Sequence, residues 1–321
     1  MKNLFYIPLF LFFIFGCKNE NEIYKRTTTS MGTIVEIQIK DADRETAKDA
    51  VNKAFAEFNR IDAKYSTYKN NNLMWRINNS KEDTIELDDE SSFLMLKSDE
   101  LYKATRGGFD PAIGNLIDLL GFESGSPAVP SKEEVFEALE KTGWKNIEIK
   151  DKNSLIKSPG EKINFGGLAK GYAVDKAAGI LEENGIGNYL INAGGEIYAS
   201  GKNWSIGIRH PRKRNELIGK INPDGIGIAT SGDYEQFFED DGKRYSHIIN
   251  PVSGMPADET AGVTVIAKDV TTADGLATGI FVIGPARGME AIENLTNTEV
   301  MIIDSAGTVS YSSGFKKFLR R

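Results

Sequence analysis

Asn164-Phe165-Gly166-Gly167-Leu168-Ala169-Lys170-Gly171-Tyr172-Ala173-Val174-Asp175 is the stretch on which the reading of this 321-residue chain turns. Paired glycines precede an apolar run of helical period. The pattern predicts a loop feeding a helix from Ala169 to Asn184, stopped by Gly185 and Gly187. Glycines at a helix entry expose backbone N–H groups, and the N-terminus of a helix favours anions. Lys170 adds a positive charge suited to a phosphate. The same residues read equally as a plain glycine-rich helix entry. They are not the dinucleotide fingerprint, because Gly166 to Gly171 lacks the G-x-G-x-x-G spacing.

Working outward, strands are expected on the C-terminal side within 187–208, split by Gly194-Gly195 and Gly201, and within 216–230, 244–249 and 262–266. On the N-terminal side, Ile34, Val35, Ile37 and Ile39 mark a strand over 33–40. Residues 43–64 carry Ala47, Ala50, Val51, Ala54, Phe55, Phe58 and Ile61 at steps of three and four, the spacing of an amphipathic helix. Further helices are expected at 92–105 and at 131–141, the latter with a Ser131–Glu134 capping box. A hairpin is expected at 145–157, a short small-residue segment at 272–283, a last helix at 287–294 and a closing hairpin around 304–307. Long helices against mostly antiparallel strands predict an α+β fold. There is no internal repeat.

Several familiar sites are absent from the sequence. It has no HExxH, no CxxC and no G-x-S-x-G elbow. Gly195 to Lys202 is not a phosphate-binding P-loop: the spacing is one residue too long, and Asn203 stands where Ser or Thr would hold magnesium. What remains is a set of small-residue turns carrying isolated polar groups. In Ala273-Asp274-Gly275-Leu276-Ala277-Thr278-Gly279 a helix places Asp274 and Thr278 on one face. A carboxylate beside a hydroxyl suits a hard cation such as Mg²⁺, completed by water and substrate phosphates; a capping Asp at a helix start is the other reading. His247, one of only two histidines, lies in Tyr245-Ser246-His247-Ile248-Ile249-Asn250-Pro251 after the loop Thr230-Ser231-Gly232-Asp233-Tyr234-Glu235. A lone histidine is more often structural than catalytic.

The first residues read as an export signal. Lys2 supplies a charge, and residues 4–16 are almost unbroken in apolarity but too short to span a bilayer. Ile14-Phe15-Gly16-Cys17 resembles a bacterial lipobox, with Ile14 in place of the usual Leu. The expectation is a signal peptide at 1–16, a lipid on Cys17 and a flexible polar tether over 17–26, leaving 27–321 as the folded domain. A plain secretory signal is the alternative. Cys17 is the only cysteine, so no disulfide is available. Hydrophobic residues at 40% and charged ones at 26% are an ordinary globular balance, and the net charge of −7 argues against a nucleic-acid partner.

Taken in order, the motifs resemble the ApbE family, the FAD:protein FMN transferases. The match runs through Met31-Gly32-Thr33, Tyr65-Ser66-Thr67-Tyr68, Gly108-Phe109-Asp110-Pro111 and the 164–175 stretch. It continues through Asn192-Ala193-Gly194-Gly195-Glu196-Ile197, the 230–234 loop, His247 to Pro251, and Asp274 to Thr278. The resemblance implies an α+β, T-fold-related single catalytic unit of two packed halves with an FAD cleft between them. It implies Mg²⁺ as cofactor and FAD as substrate. The FMN moiety would pass to a Thr or Ser of a target flavoprotein as a phosphoester, with release of AMP. Targets would be proteins such as membrane redox-pump subunits, met at the extracytoplasmic face of the cell envelope (the periplasmic side in a Gram-negative cell). Carried over by motif, Asp274, Thr278 and the Ala169 carbonyl become magnesium ligands. Met31, Tyr68, Asp110, Lys170 and Asp175 become flavin-site residues. His247 and Asp274 are alternative general bases, and Tyr65 and Tyr68 are candidates to stack on a ring system. Some relatives carry a second carboxylate where this chain has Ala277. An FAD pyrophosphatase giving FMN and AMP, and a non-catalytic FAD-binding lipoprotein, are the competing expectations.

Overall fold

The computed structural model describes residues 23–320 apart from 123, 124, 152 and 214. The expected signal segment and Cys17 lie outside the described residues. The frame is an antiparallel sheet of eight strands standing side by side in chain order. They are Tyr24–Ser30, Thr33–Ile39, Tyr189–Ala193, Glu196–Ser200, Ile226–Gly232, Thr260–Ala267, Glu299–Asp304 and Val309–Tyr311. Both faces are covered, so the inner strands are apolar on both sides. In Glu299–Asp304, Val300 and Ile302 enter one core while Met301 and Ile303 enter the other, as period-two alternation requires.

Helices Arg44–Tyr65, Ala169–Glu183 and Val270–Ile283 cover one face, with Asp89–Ala104 packed on the last of them. The other face is closed by the two-stranded ribbon Ile206–Arg209 and Leu217–Ile221, together with Trp204 and Phe315. Residues 66–168 form an excursion from the helical layer. It holds helices Leu73–Asn79, Asp89–Ala104, Gly114–Leu120 and Lys132–Leu139, and a small sheet of Thr84–Glu86, Ser154–Ile156 and Glu148–Asp151. A cleft opens where this excursion meets the turns of the main sheet.

The long helices fall where their periodicity put them. Arg44–Tyr65 starts after Asp43, whose side chain accepts from the Thr46 N–H, and it buries Phe58 and Ile61 completely. The Ser131–Glu134 capping box forms with both reciprocal bonds. The expected helix at 92–105 begins earlier, at Asp89, because Asp88 caps it and Asp89 and Glu90 suit its first turn. Strand Tyr24–Ser30 starts inside the stretch expected to be a tether, with Tyr24 opposite Ile39. Its sequence, YKRTTTS, lacks apolar alternation because it is an edge strand, and the pairing comes from its neighbour. Met31 and Gly32 close this hairpin with φ of 52° and 72°, the left-handed pair of a tight two-residue turn.

Candidate active site

The cleft has a volume of about 1160 Å³, at the large end for a small-molecule site. It gathers side chains from segments far apart in sequence. Met31, Tyr68, Asp110, Ala169, Lys170, His247, Asp274 and Thr278 all line it. Asp175, expected at the flavin, is not among the lining residues. It stands a turn beyond them and holds another helix in place.

Two helix N-termini meet beneath the cleft, and each is capped by the other helix. Asp175 of Ala169–Glu183 accepts from the Val270 and Thr271 N–H groups, each at 2.8 Å, and from the Thr271 hydroxyl at 2.5 Å. Asp274 of Val270–Ile283 accepts in return from the Gly171 N–H at 2.9 Å. Asp269 adds the ordinary cap, accepting from the Thr272 N–H at 2.7 Å. Each carboxylate thus sits at the positive end of a helix. The two helices touch closely enough that a Cβ on Gly171 would lie 2.4 Å from the Val270 carbonyl oxygen and 2.9 Å from the Asp274 Cβ. Similarly, a Cβ on Gly167 would meet the Thr278 hydroxyl at 2.9 Å. These glycines are required by close approach, which explains their place in the motif.

Helix Val270–Ile283 is buried nearly all round, with Asp274 only 2% exposed. Asp274 and Thr278, one turn apart, face the cleft together, and the Thr278 hydroxyl lies 3.4 Å from that of Ser231. Ala277, where relatives can carry a carboxylate, is fully buried in the core. Lys170 makes an ion pair with Glu196. Burial opposes the charge on Lys170, but Asp274 and Glu196 outweigh it and hold the ammonium above its usual pKa. Burial raises the Asp274 carboxyl, against the pull of Lys170 and the Gly171 N–H. It also raises Glu196, again against Lys170 and with Asp274 adding to the rise. Two buried carboxylates therefore share one ammonium. Among the described residues, no three His, Cys, Asp or Glu side chains converge on a common point.

His247 is pushed down to about 4, mainly by burial, so its imidazole is neutral at pH 7. Its Nδ1 lies 3.2 Å from the Gln236 carbonyl oxygen. Asp110 accepts from the Ala112 N–H at 2.8 Å and the Trp144 N–H at 3.0 Å, and burial raises its pKa. Tyr68 is exposed at the cleft, whereas Tyr65 is buried with its ring edge-on to Phe165, 5.7 Å between centroids. Of the two candidate stacking rings, only Tyr68 is open to a ligand face.

Glu196 and Ser231 join the cleft although the motifs that contain them do not single them out. The signal for Glu196 was present: a lone carboxylate opening an apolar strand immediately after Gly194-Gly195.

A mixed sheet-and-helix protein with a polar cleft built over two mutually capped helix starts, lined by a buried Lys and buried carboxylates, is the class these features define. Residues 31–302 match the model of the ApbE family. The FAD:protein FMN transferase of Haemophilus influenzae is 33% identical over 94% of this chain and 93% of its own length. That of Vibrio cholerae is 33% identical over the full length of both. The ApbE protein of Thermotoga maritima superposes with a TM-score of 0.86 at 33% identity, covering 94% of this chain and all of that one. The flavin transferase ApbE of Vibrio cholerae superposes with a TM-score of 0.84 at 32% identity, over 93% of this chain and 99% of the other. The chain belongs to the ApbE family.

Proposed function

We propose that this protein is an FAD:protein FMN transferase. It moves the FMN moiety of FAD onto a Thr or Ser hydroxyl of a target flavoprotein and releases AMP, in a magnesium-dependent reaction. The observation that carries the reading is the placement of Asp274 and Thr278, one helical turn apart, in the same cleft as Lys170 and His247. Full-length similarity to relatives named for this activity supports it.

The residues fit a hard cation. Asp274 and Thr278 offer oxygens on one face, and the Ala169 carbonyl is the third candidate ligand. The excess of buried carboxylate over ammonium favours added positive charge. With so few protein oxygens, phosphate and water would complete the shell. Bound there, Mg²⁺ would neutralise charge on the pyrophosphate as the AMP phosphate departs.

The chain's own groups account for the remaining steps. Lys170, whose ammonium stays charged in the cleft, binds the pyrophosphate. The target hydroxyl oxygen attacks the FMN phosphorus, and the bond from that phosphorus to the AMP phosphate oxygen breaks. His247 is the better placed base. Its Nδ1–H donates to the Gln236 carbonyl, which leaves Nε2 with a lone pair to receive the hydroxyl proton. Asp274 accepts from the Gly171 N–H and would hold the cation when it is bound. Met31, Tyr68 and Asp110 are the flavin-side contacts, and Asp175 serves by capping the helix that bears Asp274.

The direct test incubates the soluble domain with FAD, Mg²⁺ and a folded domain bearing an acceptor threonine, followed by intact mass. A gain equal to FMN is expected. No gain with FAD still bound overturns the transferase reading, and AMP release at the same rate without acceptor assigns hydrolysis instead. We further propose that a lipid on Cys17 holds the enzyme at the extracytoplasmic face of the envelope, near membrane redox proteins as targets. The basis is the charged, apolar, lipobox-like order of residues 1–17. Among the described residues, no helix is long and apolar enough to cross a membrane.

A further inference from the structure

Among the described residues, few buried side-chain polar atoms lack a hydrogen-bond partner, and Glu196 Oε2 is the one that belongs to a charged group. Glu196 is 2% exposed and lines the active-site cleft. Its Oε1 is taken by Lys170. Its backbone is fixed at the start of strand Glu196–Ser200, after a turn in which Gly194 and Gly195 have φ of 78° and 119° and the Gly195 N–H donates to Asn192 Oδ1 at 3.0 Å. A buried carboxylate oxygen with no donor is costly unless a ligand supplies one.

Resting on the transferase reading, we propose that Glu196 is a substrate-binding residue whose Oε2 accepts a hydrogen bond from a sugar-chain hydroxyl of the bound dinucleotide. The chemistry follows from position. Lys170, the partner of Oε1, is the positive charge that acts on Asp274 in the same cleft, and on the transferase reading it binds the pyrophosphate. On both sides of a dinucleotide pyrophosphate, the first groups along the chain are hydroxyls: the ribityl hydroxyls on the flavin side and the ribose hydroxyls on the adenosine side. An acceptor held one hydrogen bond from the phosphate-binding lysine meets one of these. Glu196 thus does two things at once. It orients Lys170 through one oxygen and reads a hydroxyl through the other.

The test is equilibrium binding of FAD, FMN and ADP to the wild-type protein and to Glu196→Met, which keeps the side-chain length but removes the acceptor. The same substitution is repeated in a Lys170→Met background. Measured above pH 7, where the Glu196 carboxyl is ionised, removing its negative charge beside an anionic ligand strengthens binding by itself, so weakening has the opposite sign to the electrostatic effect. FAD binding is expected to weaken by about tenfold or more. The loss should persist in the Lys170→Met background. An accompanying loss for FMN alone assigns a ribityl hydroxyl, and one for ADP alone assigns a ribose hydroxyl. Glu196→Gln, which retains an acceptor oxygen, should recover part of the affinity. Unchanged or tighter FAD binding by a folded Glu196→Met protein overturns the proposal. So does a loss that vanishes once Lys170 is gone, because Glu196 would then act only through the lysine. Failure of the wild-type protein to bind FAD would instead overturn the transferase reading.

Discussion

Asp274 holds two obligations at one atom group: it caps Gly171 of a neighbouring helix, and it faces the cleft. Asp274→Asn keeps an oxygen for the Gly171 N–H while removing the charge. FAD-dependent AMP release should therefore fall by roughly a hundredfold and lose its response to Mg²⁺, with the melting temperature nearly kept. Turnover that still rises with Mg²⁺ in this variant would overturn the proposed role of Asp274 as a cation ligand. Glu196 makes a second residue-scale prediction. Burial raises its carboxyl above the usual value of about 4.3, so the folded protein keeps a proton that the unfolded chain releases. Protons are then held preferentially by the folded state, and stability falls as pH rises from about 4.3 toward the raised value near 7. Measured by denaturation without ligand, the stability of wild type relative to Glu196→Gln should decline across that window. A gap independent of pH would contradict it. His247 has the opposite sign: its depressed pKa contributes stability present above about 6.5 and lost as pH falls toward 4. Subtracting Glu196→Gln from wild type cancels that contribution.

At the scale of elements, the site depends on two helices that cap each other. Asp175 was legible as polar and near the cleft motif, but its partners, the N–H groups of Val270 and Thr271, are ninety-five or more residues away. No local pattern reports such a contact, so the sequence alone points Asp175 to the flavin. Asp175→Ala should cost about 2 kcal/mol in chemical denaturation, since it strands buried donors. It should also lower turnover through a displaced Asp274, with a smaller effect on FAD affinity. Gly171→Ala tests the same junction from the other side. Its Cβ would stand 2.4 Å from the Val270 carbonyl oxygen, so the helices must part, at a cost of about 1–3 kcal/mol. Equal stability and equal magnesium response in both variants would show that the junction does not position the proposed cation ligands.

At the scale of the whole molecule, an eight-stranded sheet in chain order carries the helical layer and the excursion of residues 66–168, and the cleft lies between them. The folded frame includes Tyr24, so a chain beginning at residue 23 should melt like the full domain, whereas one beginning at 31 loses the edge strand and should melt lower. Cys17→Ser should move the protein from the membrane fraction to the soluble fraction while leaving turnover of free FAD intact. Persistence in washed membranes would argue against a lipid on that residue. The helices from Arg44 and Ala169, and the strand from Thr33, were readable because their amphipathic period is a local property. So was the ordered set of motifs that places the chain in its family. The polar strand Tyr24–Ser30, the capping role of Asp175, the burial of Tyr65 and the unpartnered oxygen of Glu196 were not. Each depends on what stands opposite. Local sequence sets the conformational preference and chemical type of a residue. Which donor faces which acceptor, and which carboxylate is left facing an open cleft, is set only when distant segments are packed together.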